Sequence, residues 1–178
     1  MNATQPEPLF LPDELEPDNP LWRYALLCWQ NTTLAECCLA LQAQGWSVTR
    51  ILYAGWLGNQ GQTCTEIEDA KVTEWRSCVT GTVRSIRKLV PRQHQMYQPL
   101  QQALAEAELQ AEQIELAIAW QSIRHLNPAG DKTPCSSRII RQNLQAIAPR
   151  QQPDTHCPAT LDTLAHLLTA THGEPLIC

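Results

Sequence analysis

The chain has 178 residues, 43% of them apolar and 17% charged, a balance that suits one globular domain and excludes an intrinsically disordered protein. Its formal net charge of −5 argues against generic nucleic-acid binding, which needs a basic surface. No apolar run reaches the roughly 18 residues of a membrane span, and the first 20 residues lack the basic and apolar regions of a signal peptide. The expected location is the cytoplasm, where the eight cysteines stay reduced and serve as small apolar core residues.

Residues 1–19 read as an acidic, proline-rich leader, expected to be flexible. Pro6, Pro8, Pro12 and Pro17 break any regular helix, and Glu7, Asp13, Glu14, Glu16 and Asp18 supply only negative charge. Helical patterns begin at residue 20, where Asn19 can cap and Pro20 occupies the first helical position. Trp22, Leu26 and Trp29 lie opposite Arg23 and Gln30 and form the expected inner face. Thr33 and Glu36 match a capping box for a second helix carrying Leu34, Cys37, Cys38 and Leu41, with Gly45 as its left-handed stop. A third helix opens at Trp46 or Ser47, carries Val48, Ile51, Leu52, Trp56 and Leu57, and closes at Gly58 and Gly61. Gly55 within it marks a close approach of another helix.

Thr65 and Glu68 match another capping box, opening a helical stretch to about residue 90 that is continuous or bent near 71–73. Its apolar stripe is Val72, Trp75, Val79, Val83, Ile86 and Val90. Beside it run Arg76, Arg84, Arg87 and Lys88, extended by Arg92, the most basic region of an acidic chain. The longest helix is expected from Leu100 to Leu126, with one seam through Leu104, Ala107, Ala111, Ile114 and Ile118. Leu109, Leu116, Trp120 and Ile123 form a second stripe. Glu106, Glu108, Glu112 and Glu115 lie off the main seam, where an antiparallel hairpin would let them meet the arginines. Asn127-Pro128-Ala129-Gly130 ends this helix. Beyond it come short amphipathic pieces, one capped by Ser136 or Ser137 and one by Thr160, expected at the periphery.

The fold expectation is all-α: a bundle of five to seven helices with a long antiparallel helical hairpin. Residues 20–126 form its core domain, and 127–178 add peripheral short helices and loops.

The chemical motifs are as informative by absence. His156, Cys157, His166, His172 and Cys178 match no zinc spacing, so no metal is expected. Glu-x-x-His pairs of di-iron bundles are missing, since Ser122 stands three residues before His125. Cys37 and Cys38 point about 100° apart on a helix, with no base nearby in sequence, and are expected to pack rather than react. With no nucleotide loop and no nucleophile elbow, neither a catalytic residue nor a cofactor is assigned, and a non-enzymatic protein is expected.

Taken in order, LWRYAL, AECCLALQ, the V-x-x-I-L-x-x-x-W-L-G run at 48–58, EWR at 74–76 and AEAELQAEQIE at 105–115 resemble a family of small, uncharacterised proteobacterial proteins. The resemblance covers residues 20 to about 120. It implies a bacterial, cytosolic, all-helical protein and brings no activity or catalytic residues with it.

The functional expectation is an interaction or adaptor protein that binds an unidentified protein partner through the stripe Arg76, Arg84, Arg87, Lys88 and Arg92. The acidic leader, residues 7–18, is expected as a mask over that stripe. Two alternatives stand beside it: a small-ligand binder or enzyme with a pocket among the tryptophan-rich helices, and RNA or ribosome contact through the arginines. Oligomeric state is left open.

Overall fold

A computed structural model describes residues 8–64, 68–125, 137–149 and 158–171. Among the described residues there are only helices and their connections. They are α1 (Pro20–Gln30), α2 (Thr32–Ala43), α3 (Val48–Asn59), α4 (Ala70–Trp75), α5 (Gly81–Leu89), α6 (Gln98–Ile123), α7 (Ser137–Ala146) and α8 (Pro158–Ala170). A π-helical turn, Arg76–Thr80, runs α4 into α5 without a break, and a 3₁₀ turn, Gln95–Tyr97, leads into α6. The all-helical bundle and its antiparallel α5–α6 hairpin agree with the sequence reading.

Local caps explain most of the boundaries. The Asn19 side chain accepts from Trp22 N–H at 2.9 Å and donates to Glu16 O at 2.7 Å, so the buried capping amide is satisfied on both sides. Asn31 is at once the residue that ends α1 and the cap of α2, accepting from Leu34 N–H at 3.1 Å. That single residue displaces the expected Thr33–Glu36 capping box, because α2 already begins at Thr32. Ser47 caps α3, and Gly45 and Gly61 take positive φ after α2 and α3. Asp69 caps α4 through Lys71 N–H, which leaves Glu68 free for other partners. Thr160 lies inside α8, which starts at Pro158. Thr65, the 127–130 turn, Ser136, His156, Cys157, His172 and Cys178 lie outside the described residues.

α3 is the central helix, touching α1, α2, α6, α7 and α8. Nine of its twelve residues are buried, which is why its sequence is apolar almost all round. α1 turns Leu21, Tyr24, Ala25 and Cys28 to this core. The face expected to be internal is rotated outward: Leu26 and Trp29 are exposed and Trp22 is half-buried.

Packing of α7 and α8 differs from the expected peripheral position. Ile140, Leu144, Leu164 and Leu168 are fully buried, and α7 lies directly on α3. Gly58 permits this approach, since a Cβ there would meet Ile140 Cγ1 at 2.4 Å. Gly55 does the same for Tyr24 and Leu168, as expected of a close-approach glycine. Asn143 of α7 joins the layers with polar bonds: it accepts from Cys64 N–H at 2.6 Å and donates to Gln62 O and Ala54 O. Asn59 and the Tyr24 hydroxyl likewise reach Leu168 O of α8.

Residues 8–19 are laid along the C-terminal half of α6. Leu11 and Leu15 pack against the core, Gln113 and Gln121 donate to Pro17 O and Glu14 O, and Arg124 pairs with Glu16. The Lys71 ammonium sits 5.6 Å above the Phe10 ring. No helix among the described residues is long and apolar enough to cross a membrane.

Candidate functional site

The arginine stripe and the glutamates of α6 meet along one seam. Glu108, Glu112 and Glu115 are spaced four and three apart, so they share one face of α6. Opposite them, Arg76 and Arg84 are eight residues apart, an offset of roughly 80° on an ideal α-helix. The π turn between them takes an extra residue into its ring and reduces that offset. Its cause is legible at Gly81, whose N–H donates to Arg76 O five residues back. A Cβ on Gly81 would stand 3.0 Å from that same oxygen, so glycine permits the wide turn.

The inner end of the seam is nearly dry. Arg76 donates from Nε to Glu115 Oε1 at 2.6 Å and grips Glu68 with both terminal nitrogens, at 2.5 and 2.7 Å. The Thr49 hydroxyl of α3 also donates to Glu115 Oε1, and Arg50 lies 3.8 Å from Glu68. Burial alone would raise the Glu68 carboxyl, but Arg76, Arg50 and Thr73 outweigh it and hold the group below the usual carboxylate range. Glu115 is completely buried, and its Oε2 has no hydrogen-bond partner among the described residues.

Further out, Arg84 donates to Glu108 at 2.7 Å and to Glu112 at 2.6 Å, while Arg87 pairs with the second oxygen of Glu108. Glu112 is pushed up to about 7, first by burial and then by the neighbouring Glu108 and Glu115, against the pull of Arg84. The Trp75 indole N–H donates to Ala111 O at 2.9 Å and fixes α4 on the same helix.

At the outer end the hairpin leaves the core. No residue of α5 is buried, and α6 has no buried residue before Glu108. Ten residues of α6, about 15 Å of helix, therefore stand beyond the packed domain. Ile86, Leu89, Met96 and Leu100 are 46%, 81%, 68% and 51% exposed there. Gln101 closes the tip by donating to Val90 O and Pro91 O. Lys88 and Arg92 are exposed and have no ion-pair partner among the described residues.

The five stripe residues thus divide. Arg76, Arg84 and Arg87 face carboxylates, whereas Lys88 and Arg92 face solvent. The contacts of residues 8–19 fall on α1, α4 and the far half of α6, so Glu68 and the glutamates of α6, rather than this segment, cover Arg76, Arg84 and Arg87. Sequence reasoning missed Thr49, Arg50 and Glu68 as members of the seam. The signal for Glu68 was weak, because its position also fits a helix start.

A second concavity lies where α3 and α6 end. It is a cleft of about 120 Å³ lined by Trp56, Leu57, Gln60, Gln62, Trp120, Ile123 and Arg124. Trp56 is central to an aromatic ladder, 5.6 Å from Tyr24 and 6.1 Å from Trp120, with both contacts edge-to-face. Of the described cysteines, Cys28 and Cys38 are buried, and burial pushes each thiol up to about 12, far from a reactive thiolate. Among the described residues, no group of three His, Cys, Asp or Glu side chains is placed to hold a metal ion.

No curated protein and no solved structure matches the chain significantly. One family model does match, over residues 20–118, a span that holds α1 to α5, the seam and most of α6. With more than half of its length in that match, the chain belongs to the DUF2390 family, described as proteins of unknown function.

Proposed function

We propose that this protein is a non-enzymatic adaptor whose α5–α6 arm grips an acidic amphipathic segment of a protein partner. The observation that carries the reading is the composition of the arm's tip. Four large apolar side chains stand exposed beside two cations that no carboxylate among the described residues neutralises. Exposed apolar groups at the end of a projecting hairpin mark an interaction surface, and the adjacent cations select for acidic partners. The seam supports the arm, holding α5 on α6 by ion pairs where apolar burial is absent. RNA contact has less support, because three of the five stripe cations already face carboxylates.

Photo-crosslinking in cells tests the proposal, with a crosslinking residue at position 89 or 96 and a control at Leu39, also exposed but on α2. A partner captured from both tip positions through an acidic amphipathic peptide, and lost in Lys88→Glu/Arg92→Glu, is expected. No tip-specific adduct, or one indifferent to that charge reversal, would overturn it.

A further inference from the structure

The cleft at the ends of α3 and α6 has no part in the arm. We propose that it binds a small aromatic carboxylate. Its size suits one ring: about 120 Å³ compares with the roughly 150 Å³ apolar cavity that holds benzene. Trp56 and Trp120 meet edge-to-face at 78°, so a third ring entering beside them finds both an aromatic face and an aromatic edge. Leu57 and Ile123 complete an apolar floor.

The carboxylate is specified by Arg124, the cation in the lining. This guanidinium already holds a carboxylate, since Nη1 lies 3.0 Å from Glu16 Oε1. Side-chain exposures of 44% and 55% make that pair weak and easily exchanged. Glu16 thus stands where the ligand's own carboxylate would bind, and the ring that Glu16 lacks would fill the cleft. The partial negative charge of the α3 and α6 C-termini opposes an anion here, so the Arg124 guanidinium is the group that must hold it.

Phenylacetate is the probe, with benzyl alcohol as its neutral counterpart, followed by tryptophan fluorescence and by calorimetry on the full chain. Saturable binding of phenylacetate is expected, about tenfold tighter than benzyl alcohol because an ion pair with Arg124 forms in one case only. Glu16→Gln removes the internal competitor and should tighten phenylacetate binding while leaving benzyl alcohol unchanged. Arg124→Gln should abolish the preference. Both side chains are half exposed, so neither variant threatens the fold. The proposal is overturned if phenylacetate gives no saturable signal, if both probes bind alike, or if Arg124→Gln leaves the preference intact.

Discussion

Substituting Gly58 by alanine sets two calculable effects against each other. Alanine inside a helix is favoured over glycine by up to about 1 kcal/mol, so propensity alone predicts a more stable protein. The new Cβ, however, would lie 2.4 Å from Ile140 Cγ1, 3.0 Å from Ile140 Cα and 3.1 Å from Ile140 N. A side-chain atom can rotate away, but the last two belong to the backbone of α7. The whole helix must withdraw from α3, loosening Ile140 and Leu144, which are both fully buried. Overpacking of this kind costs about 1–3 kcal/mol and can exceed that range when backbone moves. The expected balance is a loss of about 1–2 kcal/mol, or a fall in Tm of about 2–8 °C for a chain of this size. Urea unfolding followed by helix content measures it. Ile140→Ala removes Cγ1 and relieves part of the clash, so the two substitutions should be non-additive, with a coupling of about 1 kcal/mol. Equal or greater stability of Gly58→Ala, or strict additivity in the double variant, would refute this account of the α3–α7 contact.

Two further outcomes follow from buried polar groups. Because the Glu112 carboxyl is raised from an ordinary 4.5 to about 7, the folded protein keeps a proton that the unfolded chain has lost between those values. Stability therefore falls as pH rises through this window, by at most about 3 kcal/mol, and Glu112→Gln should flatten the profile when denaturation is repeated from pH 4.5 to 7.5. A profile with the same slope in the variant would place the titration elsewhere. Asn143→Leu orphans Cys64 N–H and removes the donors to Gln62 O and Ala54 O, for an expected cost of about 2–4 kcal/mol by thermal unfolding. A cost under about 0.5 kcal/mol would mean that water replaces the asparagine.

Legibility followed the locality of the forces. Asn19, Ser47, Gly45 and Gly61 act within one turn of themselves, and their roles could be read directly from neighbouring residues. The hairpin was legible because apolar spacing persists over α6 and a basic stripe precedes it. Which side of α1 is internal was not, since that helix is apolar nearly all round and Leu26 looks no different from Leu21. α7 and α8 misled for another reason: proline-containing connections suggest isolation, yet their close seats on α3 depend on Gly58, 82 residues before Ile140, and on Gly55, 113 residues before Leu168. The seam was half visible. Arginines and glutamates were there to be paired, but the register depends on a π turn, and a single glycine is too faint a signal for one. The Trp56–Trp120 cleft depends on two residues 64 positions apart, which no local pattern connects.

The lateness of α7 and α8 has a consequence for biosynthesis. A ribosome making this chain at about 5–20 residues per second takes roughly 2–9 s to travel from the end of α6 to the end of α8. Throughout that interval α3 has emerged without the helices that later enclose it, and the Gly58 notch offers a ready seat for any stray apolar helix. The nascent chain is then at its most vulnerable to self-association, and chaperone occupancy should peak just before residue 140 leaves the exit tunnel.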